Sequence, residues 1–178
     1  RGLRGYEMQY QPIYWSFLKW SERATQIRES LRLTERDLRR WFSSIEKYDV
    51  SRMNIPWNAV PKDENSRNYL PNMQTDIYLE SENDRLIIDT KYYKDALQTY
   101  YDKKTIHSNN LYQIYSYLKN YEALNEKNED CRGMLLYPTT SEELSLSYKI
   151  DGHEVSIKTI NLNQDWEKIH NSLKQIIN

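Results

Sequence analysis

Two short apolar segments, separated by a polar turn, constrain most strongly what this chain can fold into. The first runs from Thr75 to Glu80 and the second from Arg85 to Lys91. Runs of this length that are rich in Ile, Leu and Tyr are typical of β-strands. A symmetric turn over residues 81–84 brings Glu80 opposite Arg85 and apolar residues opposite each other, as cross-strand pairs prefer. The pattern therefore predicts an antiparallel hairpin with one register.

The open end of this hairpin carries three charged residues. The register pairs Ile77 with Ile88 and places Asp76 directly opposite Asp89. Side chains alternate between the two faces of a strand, so Lys91 shares the face of Asp89. Opposed Cβ atoms lie about 4.5–5.5 Å apart, and two carboxylates at that distance repel unless a cation or proton lies between them. Such oxygen ligands suit Mg²⁺ or Mn²⁺, and Lys91 is placed to reach a water molecule bound to the metal.

The same three charges also have a plainer interpretation as the solvated face of a hairpin, because this triplet is common by chance. Two observations favour a site. Asp89 follows the apolar residues 86–88, so the charges end a strand that looks buried. A polar pair, Gln113 and Tyr117, follows on the next predicted helix, where a spacing of four places both side chains on one face. Taken alone, that pair is typical of an ordinary helix.

The remaining segments predict helices and strands around this hairpin. Residues 1–48 have apolar side chains at helical spacing, and Thr34 with Asp37 resembles a capping box that begins a helix near Glu35. The order of elements predicts an α/β (α+β) fold, a mixed sheet flanked by helices. Downstream we expect a connection over 49–72 with a short strand around 55–60, and a polar loop over 94–107. A helix should then run from about Ser108 or Asn109 to Tyr121, with the serine or the asparagine as its N-cap. A buried strand over 132–137, a hairpin of 144–150 and 153–160 around Asp151-Gly152, and a helix over 164–177 should follow.

Composition excludes several classes of protein. The single cysteine, Cys131, rules out an internal disulfide and the usual thiolate zinc clusters, and it is expected to be buried. No apolar run approaches the roughly 20 residues of a membrane span, and no signal peptide is visible, so a cytoplasmic protein is expected. The net charge of −1 gives no indication of nucleic acid, although basic residues outnumber acidic ones in the first helical segment. The start at Arg1 is expected of a fragment of a longer chain.

Several stretches of the sequence resemble the C-terminal nuclease domain of McrC, a component of the 5-methylcytosine restriction system. They follow in order and at similar spacing from Leu70 to the end of the chain. The resemblance implies a PD-(D/E)xK nuclease domain over 49–178, with 1–48 as an extension or a remnant of a preceding region. The matching stretches are 70–77, 86–94, 107–115, 133–138, 148–152 and 161–166.

The resemblance also implies roles for individual residues. Asp76 matches the acid of the first family motif, and Asp89 with Lys91 matches the second. Gln113 and Tyr117 match the QxxxY element of RecB-like nucleases. The three charged residues are therefore expected to be catalytic, and the glutamine and tyrosine to support them.

Three further positions complete the expected site. Thr90 stands where the family often has Ala, and its backbone carbonyl is expected to join Asp76 and Asp89 as a ligand of Mg²⁺ or Mn²⁺. Such nucleases usually carry an acid on a helix before the hairpin. Glu46 resembles that position, with an ordinary solvated helix acid as the alternative. His107 is either a phosphate contact or a plain loop residue.

The resemblance implies a metal-dependent DNA endonuclease, with no base-reading motif of its own. Specificity would come from McrB, a GTP-driven AAA+ partner, and two nuclease domains could pair as a dimer. The rival hypothesis is a non-catalytic module of nuclease fold that docks on DNA or on a motor ring. The intact set of Asp76, Asp89 and Lys91 speaks against that hypothesis. A structural helical adaptor would fit only the first third of the chain.

Overall fold

A computed structural model describes residues 34–45, 47–63, 65–92, 96–100, 103–125, 130–139 and 143–177. These residues form three α-helices, ten strands and one 3-10 turn. In chain order they are α1 (Glu35–Phe42), β1 (Asp49–Ser51), β2 (Asn54–Ile55), a 3-10 turn (Ser66–Tyr69), β3 (Met73–Gln74), β4 (Ile77–Glu80), β5 (Arg85–Thr90), β6 (Leu97–Tyr100), β7 (Lys103–Ile106), α2 (Ser108–Leu124), β8 (Arg132–Pro138), β9 (Ser145–Ile150), β10 (His153–Ile160) and α3 (Trp166–Ile177).

A mixed sheet of six strands, in the order β1-β4-β5-β8-β10-β9, forms the centre of the described fold. Strands β1, β4 and β5 pair antiparallel, β5 and β10 each run parallel to β8, and β9 returns antiparallel to β10. The pairs β2–β3 and β6–β7 form two separate two-stranded sheets. This arrangement, with helices packed on the sheet, confirms the predicted fold class.

The sheet buries apolar side chains on both faces, because side chains alternate along each strand. On β5, Leu86 and Ile88 point into a cluster with Trp41 of α1 and Leu173 of α3. Ile87, between them, points into the opposite cluster with residues of α2. The Asp89 side chain lies on the same face of the sheet as that of Ile87, the face that α2 covers. Residues of α2 can therefore contact Asp89.

Helix α2 lies unusually close to the sheet at Gly133 of β8. A Cβ atom at this position would lie 2.8 Å from Cγ1 of Ile114 and 2.9 Å from Cδ1 of Leu118. Both neighbours are buried side chains, so they have little room to shift. Glycine at this position therefore sets the distance between α2 and the strand next to β5.

The hairpin of β4 and β5 has the predicted register. The Cα partners include Ile77 with Ile88 and Glu80 with Arg85, and Nε of Arg85 donates to Glu80 at 3.1 Å. The turn is closed by a hydrogen bond from the Ser81 amide to the Asp84 carbonyl at 2.9 Å.

Asp84 ties this turn to the neighbouring strands. Arg132 of β8 donates to both of its carboxylate oxygens, at 3.0 and 2.6 Å, and the Tyr48 hydroxyl donates at 2.8 Å. Burial alone would raise the pKa of Asp84, but these donors lower it below its usual value. The turn end of the hairpin is therefore anchored independently of the end that carries the charged triplet.

Helix α1 begins with the capping box that the sequence predicted. The Thr34 side chain accepts from the Asp37 amide, and the Asp37 side chain accepts from the Thr34 amide. Leu38, Trp41 and Phe42 bury one face of the helix in the core cluster of the sheet. Residues 1–33 of the predicted helical segment lie outside the described residues, so their helices remain a prediction, whereas the helix ends at Phe42 and residues 43–45 and 47–48 are not helical, contrary to expectation.

Three expectations about local structure were wrong. The predicted polar loop over 94–107 contains the hairpin β6–β7, in which Leu97 pairs with Ile106; polar Thr and Lys residues on short strands hid this pattern. Helix α2 begins at Ser108, so its N-cap is His107, and no side chain caps it. The strand expected around 55–60 is reduced to the two residues of β2.

The C-terminal half agrees with expectation. Lys149 pairs with Glu154 across the β9–β10 hairpin. Asp151 and Gly152 have φ angles of 48° and 91°, the left-handed values that this type of turn requires. Cys131 is free and buried. Among the described helices, none is long and apolar enough to cross a membrane.

Candidate active site

Asp89 occupies the end of β5 and is almost completely buried. Its relative exposure is 1%, which contradicts the interpretation as a solvated hairpin face. Oδ2 lies 2.5 Å from Nζ of Lys91, whereas no donor in the described part of the chain reaches Oδ1. Burial raises the pKa of Asp89 to about 6; the ion pair with Lys91 opposes this shift and the charge of Asp76 adds to it. A buried acid with a free oxygen is a costly arrangement.

Lys91 is held by a chain of hydrogen bonds that leads into α2. Its Nζ donates to Oε1 of Gln113 at 2.8 Å. Nε2 of Gln113 donates to the Tyr117 hydroxyl at 2.8 Å, and that hydroxyl donates to the Gln74 carbonyl at 3.0 Å. The structure therefore joins the predicted pair on α2 to the predicted lysine. The tyrosine fixes this chain to β3, beside the start of β4.

Asp76 lies in a bend just before β4 rather than within the strand. Its Oδ2 accepts the Thr90 amide at 2.8 Å and the Thr90 hydroxyl at 3.0 Å. Its main-chain carbonyl accepts from Arg39 of α1 at 2.6 Å. The ladder of paired residues ends at Ile77 and Ile88, so these bonds, rather than strand pairing, hold Asp76 at the end of β5.

The two carboxylates act on each other electrostatically, as the hairpin register predicted. The charge of Asp76 contributes, after burial and the opposing contacts of Lys91, to the raised pKa of Asp89. The charges of both acids, after burial, also raise the pKa of Tyr117. The Thr90 carbonyl follows Asp89 directly in the chain. The structure does not test whether this carbonyl binds a metal.

No group of three His, Cys, Asp or Glu that could hold a metal ion is found among the described residues. Two carboxylates and a carbonyl still suit Mg²⁺, which commonly keeps several waters and takes only one or two carboxylates from the protein. The free Oδ1 of Asp89 is the observation that fits best, since a buried carboxylate oxygen requires a donor or a cation. The donor set therefore fits a hard divalent cation.

Sequence reasoning missed one acid near this site. Glu35, the first residue of α1, adds to the raised pKa of Asp89 after the larger effects of burial, Lys91 and Asp76. Burial raises the pKa of Tyr92 to about 12, and the charge of Glu35 adds to that shift. Glu35 also lies 3.7 Å from Arg39. Only a search for acids at the start of the capped helix would have found it.

Glu46, the helix acid proposed from the sequence, lies outside the described residues, so its role stays a prediction. His107 is partly buried at the N-cap of α2. Its proposed contact with phosphate also stays a prediction.

Comparisons with known proteins agree with the resemblance. A family model described as McrBC 5-methylcytosine restriction system component matches residues 42–138, more than half of the 178 residues. The matched stretch contains all five residues of the charged and polar cluster, namely Asp76, Asp89, Lys91, Gln113 and Tyr117.

Two individual proteins are similar to the chain. A protein of Escherichia coli (strain K12), described as Type IV methyl-directed restriction enzyme EcoKMcrBC, is 36% identical over 128 residues, or 72% of this chain. The chain spans 36% of the length of that relative. The solved structure of the small subunit of the heterodimeric restriction endonuclease R.BspD6I shares 14% identity at a TM-score of 0.46, with 90% of this chain and 78% of that one covered. The family match, at this length, shows that the chain belongs to the McrBC 5-methylcytosine restriction system components, as a member of the McrC type.

Proposed function

We propose that this chain is the nuclease part of a modification-dependent restriction enzyme and that it hydrolyses DNA phosphodiester bonds. The observation that carries the proposal is the end of β5, where the buried Asp89 carboxylate keeps one free oxygen and pairs with Lys91. A buried ion pair is weak evidence for stability. Strongly perturbed acids concentrate at functional sites. The cluster therefore fits a catalytic centre better than a structural element.

Asp76, Asp89 and the Thr90 carbonyl are the groups that would hold Mg²⁺ or Mn²⁺. When bound, such a cation would polarise the scissile phosphate and compensate the charge that develops during hydrolysis. Glu35 is a further acid whose charge acts on Asp89, but no group of three possible ligands is found among the described residues. The chain's own contribution is to hold the carboxylates in place, through the bonds of Thr90 to Asp76 and of Lys91 to Asp89.

Lys91 would act on the water and on the phosphate. Its ammonium group lies between the Asp89 carboxylate and the Gln113 amide oxygen, so its position is well defined. A fixed positive charge at this place would orient the attacking water and stabilise negative charge on the phosphate. Transfer of a proton from water would additionally require its neutral form. Gln113 and Tyr117 serve this function indirectly, because they hold the lysine in place.

The family supports a partner and a substrate for the complete protein. The similar protein from E. coli is a methyl-directed restriction enzyme. We therefore propose DNA as the substrate of this chain. A GTP-driven AAA+ subunit of McrB type would select the DNA and control cutting. Pairing of two such nuclease domains would allow both strands to be cut.

A cleavage assay tests this function. The full-length protein would be combined with its GTPase partner, GTP and a methylated plasmid, with Mg²⁺ or with EDTA. We expect cutting only with Mg²⁺, and none by an Asp89→Ala variant. The control is Asp49→Ala, which removes an exposed carboxylate of β1. Cutting by the Asp89→Ala variant at the wild-type rate would instead support a non-catalytic module, with another protein as the nuclease.

A further inference from the structure

We infer that Thr90 and Arg39 are positioning residues, which hold the Asp76 carboxylate so that one oxygen, Oδ1, is left for the divalent cation. The inference rests on the proposed function, because it concerns the same metal site. It assigns roles to a side-chain hydroxyl and to a helix α1 residue that neither the family motifs nor the hairpin register singled out.

Thr90 occupies both acceptor directions of one Asp76 oxygen. Oδ2 receives the Thr90 amide at 2.8 Å and the Thr90 hydroxyl at 3.0 Å. A carboxylate oxygen has two lone pairs for hydrogen bonds, so this oxygen is saturated. Among the described residues, every hydrogen bond to the Asp76 carboxylate ends on Oδ2. The geometry therefore points to a single remaining oxygen as the cation ligand.

The hydroxyl of Thr90 reaches Asp76 although strand alternation turns its side chain away from Asp89 and Lys91, since Asp76 lies in a bend outside the paired ladder. Asp89 and Lys91 face α2, so Thr90 faces the opposite side of the sheet. There it is 7% exposed and lines a small cavity together with Leu38 and Leu136. The sequence analysis assigned a role only to the Thr90 backbone carbonyl, which alanine would also provide. The structure shows an additional bond that alanine could not make.

Arg39 fixes the backbone of the same aspartate. Asp76 lies outside the paired ladder, and a residue in a bend needs other contacts to be well ordered. The Arg39 side chain is 21% exposed, and its guanidinium donates to the Asp76 carbonyl at 2.6 Å and lies 3.7 Å from Glu35. Helix α1 therefore contributes to the geometry of the site, although it precedes the hairpin by more than thirty residues.

The test measures Mn²⁺ binding by calorimetry to the full-length protein in the absence of DNA and partner. Thr90→Val keeps the shape and β-branching of the side chain but loses the hydroxyl, and Thr90→Ser keeps the hydroxyl. Loss of a residue that orients a metal ligand typically weakens metal affinity about 10-fold to 100-fold. We expect a loss in this range for Thr90→Val and wild-type affinity for Thr90→Ser.

Arg39 is tested with a matched pair on α1. Arg39→Met keeps the apolar stem and loses the donors, whereas Arg40→Met does the same at an exposed neighbour. We expect weaker Mn²⁺ binding, on the order of 10-fold, for Arg39→Met only. Thermal melting of each variant shows whether it is folded. If Thr90→Val does not fold, Thr90→Ala replaces it in the comparison of Mn²⁺ affinity with Thr90→Ser.

The results separate this inference from the proposed function. Wild-type affinity in Thr90→Val, or an equal loss in Thr90→Ser, would overturn the role of the hydroxyl, and wild-type affinity in Arg39→Met would overturn that of the arginine. A wild-type protein that binds no Mn²⁺, or whose binding survives Asp89→Ala, would instead contradict the metal site itself. Weak Mn²⁺ binding by Thr90→Val, together with wild-type binding by Thr90→Ser, supports both the role of the hydroxyl and the metal site.

Discussion

At the scale of single residues, Asp89 is a charged residue at a buried position that would suit an apolar side chain. It follows three buried residues of β5 and is 1% exposed, yet it carries a carboxylate that pairs with Lys91. The raised pKa, about 6, has burial as its largest cause. An acid with a folded-state pKa above its unfolded value destabilises the fold once it is ionised. Ionised Asp89 therefore lowers the free energy of unfolding when no cation is bound.

Replacement of Asp89 by Asn is expected to stabilise the metal-free protein at pH 8. The shift from 3.8 to about 6 corresponds to roughly 3 kcal/mol, and this is the upper limit of the gain. The difference should vanish near pH 4, where the wild-type carboxyl is protonated in the folded state. Mn²⁺ should raise the melting temperature of the wild type and leave that of the variant unchanged.

Urea unfolding at both pH values measures this effect. The control is Asp49→Asn, which changes an exposed carboxylate and should have little influence. A metal-free Asp89→Asn protein that is less stable than the wild type at pH 8 would show that the ion pair with Lys91 outweighs the cost of burial.

At the scale of elements, the approach of α2 to β8 controls where Gln113 meets Lys91. Gly133→Ala should destabilise the protein by about 1–3 kcal/mol, the usual cost of overpacking a core. The added Cβ would meet Ile114 at 2.8 Å and Leu118 at 2.9 Å. Urea denaturation gives the change in free energy of unfolding. An unchanged midpoint would mean that α2 can move away from the sheet at no cost.

How far the sequence predicted these elements depended on the range of the contacts involved. The β4–β5 and β9–β10 hairpins were predictable because charged pairs and a turn signal lie close together in the chain. The β6–β7 hairpin was missed, since short polar strands resemble a loop. The parallel neighbours of β8 and the position of β1 depend on contacts between distant segments. No local pattern encodes them.

The candidate site shows the same division. Strand alternation placed Asp89 and Lys91 on one side, and helical spacing placed Gln113 with Tyr117, so those positions were predictable. The bond from Arg39 to Asp76 joins residues 37 apart in the chain. It became visible only when α1 was seen packed on the sheet.

At the scale of the whole molecule, the contact of α1 with α3 makes stability depend on pH. Nε1 of Trp41 donates to Nδ1 of His170 at 2.9 Å, so that nitrogen must be unprotonated. Burial, followed by the charge of Lys174, lowers the pKa of His170, while Glu167 opposes the shift. The folded-state pKa of His170 lies below the unfolded value of 6.5. Stability that is present above pH 6.5 is therefore lost as the pH falls from 6.5 through the lower, folded-state pKa.

His170→Gln should therefore gain stability relative to the wild type as the pH falls from 7.5 to 5. Both proteins contain Asp89, whose opposite effect cancels when the variant is compared with the wild type. Thermal melting at several pH values measures the difference. An identical slope in both proteins would exclude His170 as the source of acid sensitivity.

Cleavage by the assembled enzyme tests the central claim most directly. Lys91 would be unnecessary at a site that only binds metal, and its charge would even oppose the cation. If the site cuts DNA, Lys91→Ala should still fold and bind Mn²⁺, at a lower stability because the buried Asp89 carboxylate loses its partner. Single-turnover cleavage should then fall by roughly 10²–10⁴-fold, the usual effect of losing general acid–base help.

The measurement compares Lys91→Ala with Lys168→Ala, which removes an exposed lysine of α3. Each variant is reconstituted with the GTPase partner and methylated DNA, and thermal melting confirms that it is folded. The account predicts a large loss of cleavage for Lys91→Ala and wild-type cleavage for Lys168→Ala. Full cleavage by a well-folded Lys91→Ala protein would contradict the proposed catalytic centre.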